Sequence, residues 1–199
     1  MKIIKPVSLV DVKRAFVISD LGKIKGNQKG VSEKTFENNF NRAKTKVLKF
    51  SEADLDKHIE WSKRLNAYNN CKWYIAEFSP PELGVWRRSS GLPLSWTNQS
   101  LLETSKKINK VLSSDSKFLK KRSRYAIYNI LNSKSQISQK EKYLYPIVFK
   151  NSEGTRGRSY LRFKTKGDID DGCMRSIAMT ISGKKSILVY FGVPKEITK

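Results

Sequence analysis

The sequence predicts an α+β fold, and three observations carry that prediction. Serine caps open stretches of helical period at Ser8 and Ser51, the second with an acid three positions on, at Asp54. Lys72 to Phe78 reads as a strand that Pro80-Pro81 ends, because a proline has no amide proton to donate. Toward the C-terminus, short apolar runs alternate with polar residues and are separated by Gly, Asn and Asp.

In chain order, residues 8–20 predict a first helix, and a loop punctuated by Gly22, Gly26 and Gly30 carries Lys23, Lys25 and Lys29. Residues 45–50 are assigned a strand and 51–68 a second helix. Residues 82–99 are irregular and contain Trp86, Arg87, Arg88 and Trp96. Two further helices follow, from about Gln99 to Leu112 and from about Ser116 to Leu131, then a polar linker over 133–142. Segments near 144–150, 158–166, 174–182 and 186–192 predict a four-stranded antiparallel meander. The chain thus divides into an N-terminal α/β part, 1–81, and a part holding the basic helix pair and C-terminal sheet, 82–199.

Charge narrows the function. The 199 residues hold 40 Lys+Arg against 18 Asp+Glu, a formal net charge of +22. Such an imbalance repels itself in a compact chain and calls for a polyanion, with nucleic acid the commonest. Hydrophobic residues make up 38%, enough for a packed core, and a basic disordered tail is excluded. No apolar run of the length a bilayer needs is present, and the charges at Asp11, Lys13 and Arg14 lead to the expectation that residues 1–14 are not a secretory signal. Cys71 and Cys173 fit no metal-ligand spacing, so reduced buried thiols and a cytoplasmic location are expected.

The charge is localised. Between Lys106 and Lys166 there are 17 Lys+Arg and three acids, Asp115, Glu141 and Glu153. At about 100° per residue, Lys117, Lys120, Lys121, Arg124 and Tyr128 share one helix face, opposite Phe118, Leu119, Tyr125, Ala126 and Ile130. The preceding helix sets Lys106, Lys107 and Lys110 opposite Leu101, Ile108 and Leu112. A strand over 158–166 points Arg158, Tyr160, Arg162 and Lys164 to one side, with Arg156 just before it. Cations around a tyrosine suit phosphates and a stacked base. Arg87 and Arg88 beside Trp86 offer the same chemistry.

Catalytic signals are sparse. His58 is the one histidine and has no evident partner; no P-loop, Cys/His cluster or Ser-His-Asp set is present, and no cofactor is expected. Asp168, Asp170 and Asp171 form the best acidic cluster and read as a polar hairpin loop rather than a metal-dependent nuclease site. The expected partner is RNA, with DNA as the alternative, or a larger ribonucleoprotein; a helix-turn-helix over 99–131 would suit phage or plasmid operator DNA.

Several stretches in order resemble the Csy-type endoribonucleases that process type I-F CRISPR repeat RNA in antiviral defence. They are Gly30-Val31-Ser32, Leu48 to Leu55, the basic run at 117–124, Pro146 to Ser152, Tyr160 to Phe163, and Ser176 to Ser182. The resemblance implies a ferredoxin-like N-terminal part, a basic helix lying along an RNA hairpin, and Ser152 near a catalytic serine. This chain departs from that pattern: it has no histidine before His58, where the family's catalytic histidine would sit in the first helix, and its basic helix is mostly lysine. Binding without cleavage is the expectation, with a metal-independent endoribonuclease as the enzymatic alternative.

Overall fold

The computed structural model describes residues 1–24, 28–59, 62–85, 91–150 and 165–195. Among them, β1 (Lys2–Val7), β2 (Cys71–Phe78), β3 (Leu83–Gly84), β4 (Ile147–Lys150), β5 (Gly167–Asp171) and β6 (Ile187–Pro194) form one sheet in the order β1-β2-β6-β4-β5-β3. It is mixed: β4 runs parallel to β6 and β3 parallel to β5, while the other neighbours are antiparallel. The fold is α+β. The sheet joins the two expected parts of the chain, because β2 pairs with β6 from Cys71–Pro194 to Phe78–Ile187.

Both faces of the central strands β4 and β6 are covered, and these strands are correspondingly apolar on both sides. Trp73 and Ile75 of β2, Phe149 of β4 and Tyr190 of β6 pack with α1 (Leu9–Leu21), α2 (Glu33–Val47), α3 (Glu52–His58) and α4 (Ser62–Asn69). Ala76 and Phe78 of β2, Ile169 of β5 and Val189 and Phe191 of β6 pack with α6 (Leu101–Val111), α7 (Lys121–Leu131) and α9 (Cys173–Ile181). The short helices α5 (Leu94–Thr97) and α8 (Lys134–Ile137) lie in the connections. Cys71 and Cys173 are buried in different cores, on opposite faces of the sheet. At Gly192 a Cβ would lie 2.8 Å from the Trp73 ring, so only glycine lets that indole lie across β6.

Capping explains the helices the sequence revealed. The Ser8 hydroxyl accepts the Asp11 amide of α1, and Ser51 and Asp54 form a reciprocal capping box at the start of α3. Buried Lys13 ties the two helices together through Glu52 at 2.8 Å and Asp56 at 2.7 Å.

Three assignments change. Residues 45–50 are not a strand: α2 runs to Val47, capped by Ser32 and packed through Phe40, Ala43 and Val47. The expected helix over 51–68 is two helices, broken at Ile59, whose ψ of 68° leaves the helical region. In the expected meander, 174–182 is helical. Met174, Ile177, Ala178 and Ile181 keep a period of three to four and pack in the core shared with α6 and α7. The turn expected at 167–172 is instead β5, and residues 158–164 lie outside the described residues.

Glu82 ties together the starts of β1, β3 and β5. Its carboxylate accepts the Met1 amino group at 2.6 Å, Lys166 at 2.7 Å and the Ser79 amide at 3.0 Å. Burial pushes the carboxyl up, but these donors outweigh it and hold it at about 2. A depressed carboxyl stabilises the fold above its unfolded value near 4.5 and loses that contribution as pH falls toward 2. Glu82→Gln is expected to destabilise the protein at neutral pH by roughly 1–2 kcal/mol after solvent screening. The difference from the parent should shrink between pH 4.5 and 2; chemical denaturation across that range measures it.

Candidate nucleic-acid interface

Helix α6 buries Leu101, Thr104, Ser105 and Ile108 and turns Lys106, Lys107 and Lys110 outward. One of these is already matched: Lys106 pairs with Glu103 at 2.9 Å, three residues back. Lys107 donates to the Ser95 carbonyl at 3.3 Å. Lys110 is exposed.

The basic helix begins later than its periodicity predicts. Residues 116–119 form a turn, Lys120 is the N-cap of α7, and Lys117 precedes the helix. Lys117, Lys120, Lys121 and Arg122 are all exposed, whereas Ile127 and Asn129 are buried. No acid stands in the first turn and no side chain caps it.

The late start redirects two residues. Arg124 does not face solvent: its guanidinium folds back to the Ser116 carbonyl at 3.0 Å and Asp115 at 3.4 Å, holding the turn. Phe118, placed with the apolar face by periodicity, is instead 58% exposed, with Lys117 Nζ 5.9 Å from its ring centre. Tyr128 is exposed as expected, under Lys29 at 5.6 Å. Arg124→Ala should therefore lower stability by about 1–2 kcal/mol through lost charged hydrogen bonds. It should leave the salt dependence of binding nearly unchanged; urea denaturation and a salt titration check the pair.

Sequence reasoning missed Lys29, Arg122 and Phe118 as members of this surface. Lys29 arrives through the fold: buried Asn129 of α7 accepts the Gly30 amide at 2.9 Å and donates to the Gln28 carbonyl at 2.7 Å, clasping that loop to the helix. Arg122 was legible only as one cation in the Lys-Lys-Arg-Ser-Arg run.

Asp168, Asp170 and Asp171 lie on β5 rather than in a hairpin loop. Asp170 is buried, accepting Arg64 Nε at 2.9 Å and the Tyr68 hydroxyl at 3.1 Å. Burial and the Asp170 charge push the Tyr68 hydroxyl well above its usual range. Among the described residues no three His, Cys, Asp or Glu side chains are placed to hold a metal ion. His58 stacks on Phe50 at 5.1 Å, at the end of α3. Arg87, Arg88, Ser152, Arg156, Arg158, Tyr160, Arg162 and Lys164 lie outside the described residues. Among those described, no helix is long and apolar enough to cross a membrane.

No protein-family model, curated protein or solved structure matches this chain.

Proposed function

We propose that the protein binds nucleic acid, RNA in preference to DNA, with the Lys117–Arg122 surface against the phosphate backbone. The observation that carries this reading is the start of α7. Lys120, Lys121 and Arg122 stand exposed at the positive end of a helix with neither an acid nor a cap in its first turn. Each cation there is disfavoured by the helix dipole, by roughly 0.3–1 kcal/mol, and a polyanion reverses that penalty. Exposed Phe118 and Tyr128 beside lysines add stacking surfaces, a combination suited to single-stranded or looped nucleic acid. The resemblance to Csy-type endoribonucleases supports RNA as the ligand and a role in a ribonucleoprotein. A helix-turn-helix is less well supported, because α6 and α7 are joined by residues 112–120, longer than the usual three- to four-residue turn.

Phe118→Ala tests the stacking component. The side chain is 58% exposed, so the melting temperature should hold. Affinity for a single strand or a hairpin loop should fall by about 1–3 kcal/mol, and affinity for plain duplex should barely change. Fluorescence anisotropy with a hairpin RNA, a single-stranded RNA and a duplex DNA at one fixed salt reads the result. Equal loss on all three, or none on any, contradicts the stacking role.

A further inference from the structure

The two helical layers leave a cleft of about 650 Å³ where β5 passes into α9. One wall comes from α1 and α2 and includes Phe16, Phe36 and Phe40; the other comes from α7 and α9. We propose that this cleft receives the phosphate-bearing terminal nucleotide of a single strand whose backbone lies on the Lys117–Arg122 surface. The proposal rests on the nucleic-acid reading above and names where a strand end goes.

Size and continuity come first. The volume is in the range of small-molecule sites, roughly 300–1,000 Å³, and suits about one nucleotide rather than a stretch of chain. Arg122 belongs to both places, lining the cleft while standing exposed next to Lys121.

The chemistry divides into two parts. The phenylalanine wall offers apolar surface to a base, with the Arg64 guanidinium already stacked 4.6 Å from the Phe16 ring centre. Four cations, Lys23, Arg64, Arg122 and Arg175, line the cleft with three carboxylates, Asp20, Asp170 and Asp171. Lys23 pairs with Asp20 at 2.8 Å and Arg64 with Asp170 at 2.9 Å.

Arg175 is different. Its hydrogen bonds go to neutral acceptors, the Leu144 carbonyl at 2.7 Å and the Gln136 side chain at 3.4 Å. Among the described residues no carboxylate comes within ion-pair distance of it. Burial draws its proton affinity down, opposed only by the more distant Asp171. These bonds engage two of the guanidinium's five donors, so further donors are open to a ligand, and a half-buried cation with no anion beside it favours gaining one. It also occupies the first turn of α9, where the helix dipole disfavours it and Gly172, at φ +85°, supplies no side-chain cap. A phosphomonoester, doubly charged and rich in acceptors, corrects all of these at once. Asp171 then stands as an acceptor for a base's exocyclic amine.

The test compares one ten-nucleotide single-stranded RNA bearing a 5′-phosphate, a 3′-phosphate or hydroxyls at both ends. A terminal phosphate at one end should tighten binding at least tenfold. Arg175→Met should abolish that ratio while leaving the hydroxyl-ended strand bound as before, and Lys23→Gln should reduce it. Lys121→Glu should weaken all three strands and preserve the ratio. Equal affinity for the three strands in the parent protein overturns the proposal, while leaving the basic surface intact as the binding site.

A structural role for Arg175, as an anchor of the Leu144 turn, would lower the melting temperature without touching the ratio, and that outcome also overturns it. If Arg175→Met does not fold, a ratio unchanged in Lys23→Gln counts against the proposal and a reduced one for it. If no strand binds, the nucleic-acid reading fails and adenosine monophosphate decides the cleft by itself. A melting-temperature rise with the monophosphate but not with adenosine, absent in Lys23→Gln, retains the phosphate site with a free nucleotide as its source. No rise removes it.

Discussion

Replacing Lys117, Lys120 and Lys121 together with Glu should lower affinity for RNA and DNA about 100-fold or more near physiological salt, whatever the sequence. Three cations become three anions on the surface assigned to the phosphate backbone, and neutralised phosphates dominate such affinities. Backbone contacts carry little sequence information, so the loss should be uniform across ligands. The fold should survive. All three side chains are exposed, and Glu at the start of α7 agrees with the helix dipole where Lys opposes it. An unchanged or raised melting temperature beside a large loss of binding is therefore the expected signature. Arg124 is left out of the set because it braces the 115–119 turn. A folded variant with parental affinity would mean that the lysines only solvate the helix.

Asp170→Ala should have the opposite profile, a large loss of stability. It removes a carboxylate partner of Arg64, whose side chain is 14% exposed, and the acceptor of the fully buried Tyr68 hydroxyl. Breaking a buried ion pair from one side typically costs about 3–5 kcal/mol, because the remaining charge is stranded. Asp170→Asn keeps an acceptor for Tyr68 and should cost less. Urea denaturation of both variants measures the difference. A loss below about 1 kcal/mol in Asp170→Ala would show that Arg64 finds another anion, with Asp171 the nearest candidate on β5.

Features written in local chemistry were legible in the sequence. The Ser8 and Ser51 caps and the β2 strand ended by Pro80-Pro81 sit where their residues place them. Helix α2 was hidden because its sequence is polar, and only Ala43 and Val47 are fully buried. β1 was hidden because Lys2–Val7 is an exposed edge strand without a buried face to give it a period. Helix α9 was misread because Ser176 to Ile181 alternates as a strand would. The Gly172 turn and packing against α6 and α7 decide for a helix.

Arg124 marks a subtler limit. Its angular position on an ideal helix points to solvent, but the preceding turn puts the Ser116 carbonyl within its reach. No periodicity encodes that contact. The cleft was invisible for a related reason: Phe16, Phe36, Arg64, Arg122 and Arg175 meet only when the two helical layers close over the sheet. Of the site residues chosen from sequence, Lys110, Lys117, Lys120, Lys121 and Tyr128 are exposed, whereas Lys106 has an acidic partner.

The most direct test of the basic surface is the salt dependence of RNA affinity in the parent protein and in the Lys117, Lys120 and Lys121 reversal. Log affinity should fall linearly with log salt, and the slope should reach at least about −3 if four or more phosphates are neutralised at roughly −0.7 to −0.9 each. The reversal should make the slope shallower by about 2, the share of three lost contacts. A parent slope near zero, or an identical slope in the folded reversal variant, would contradict binding through this surface.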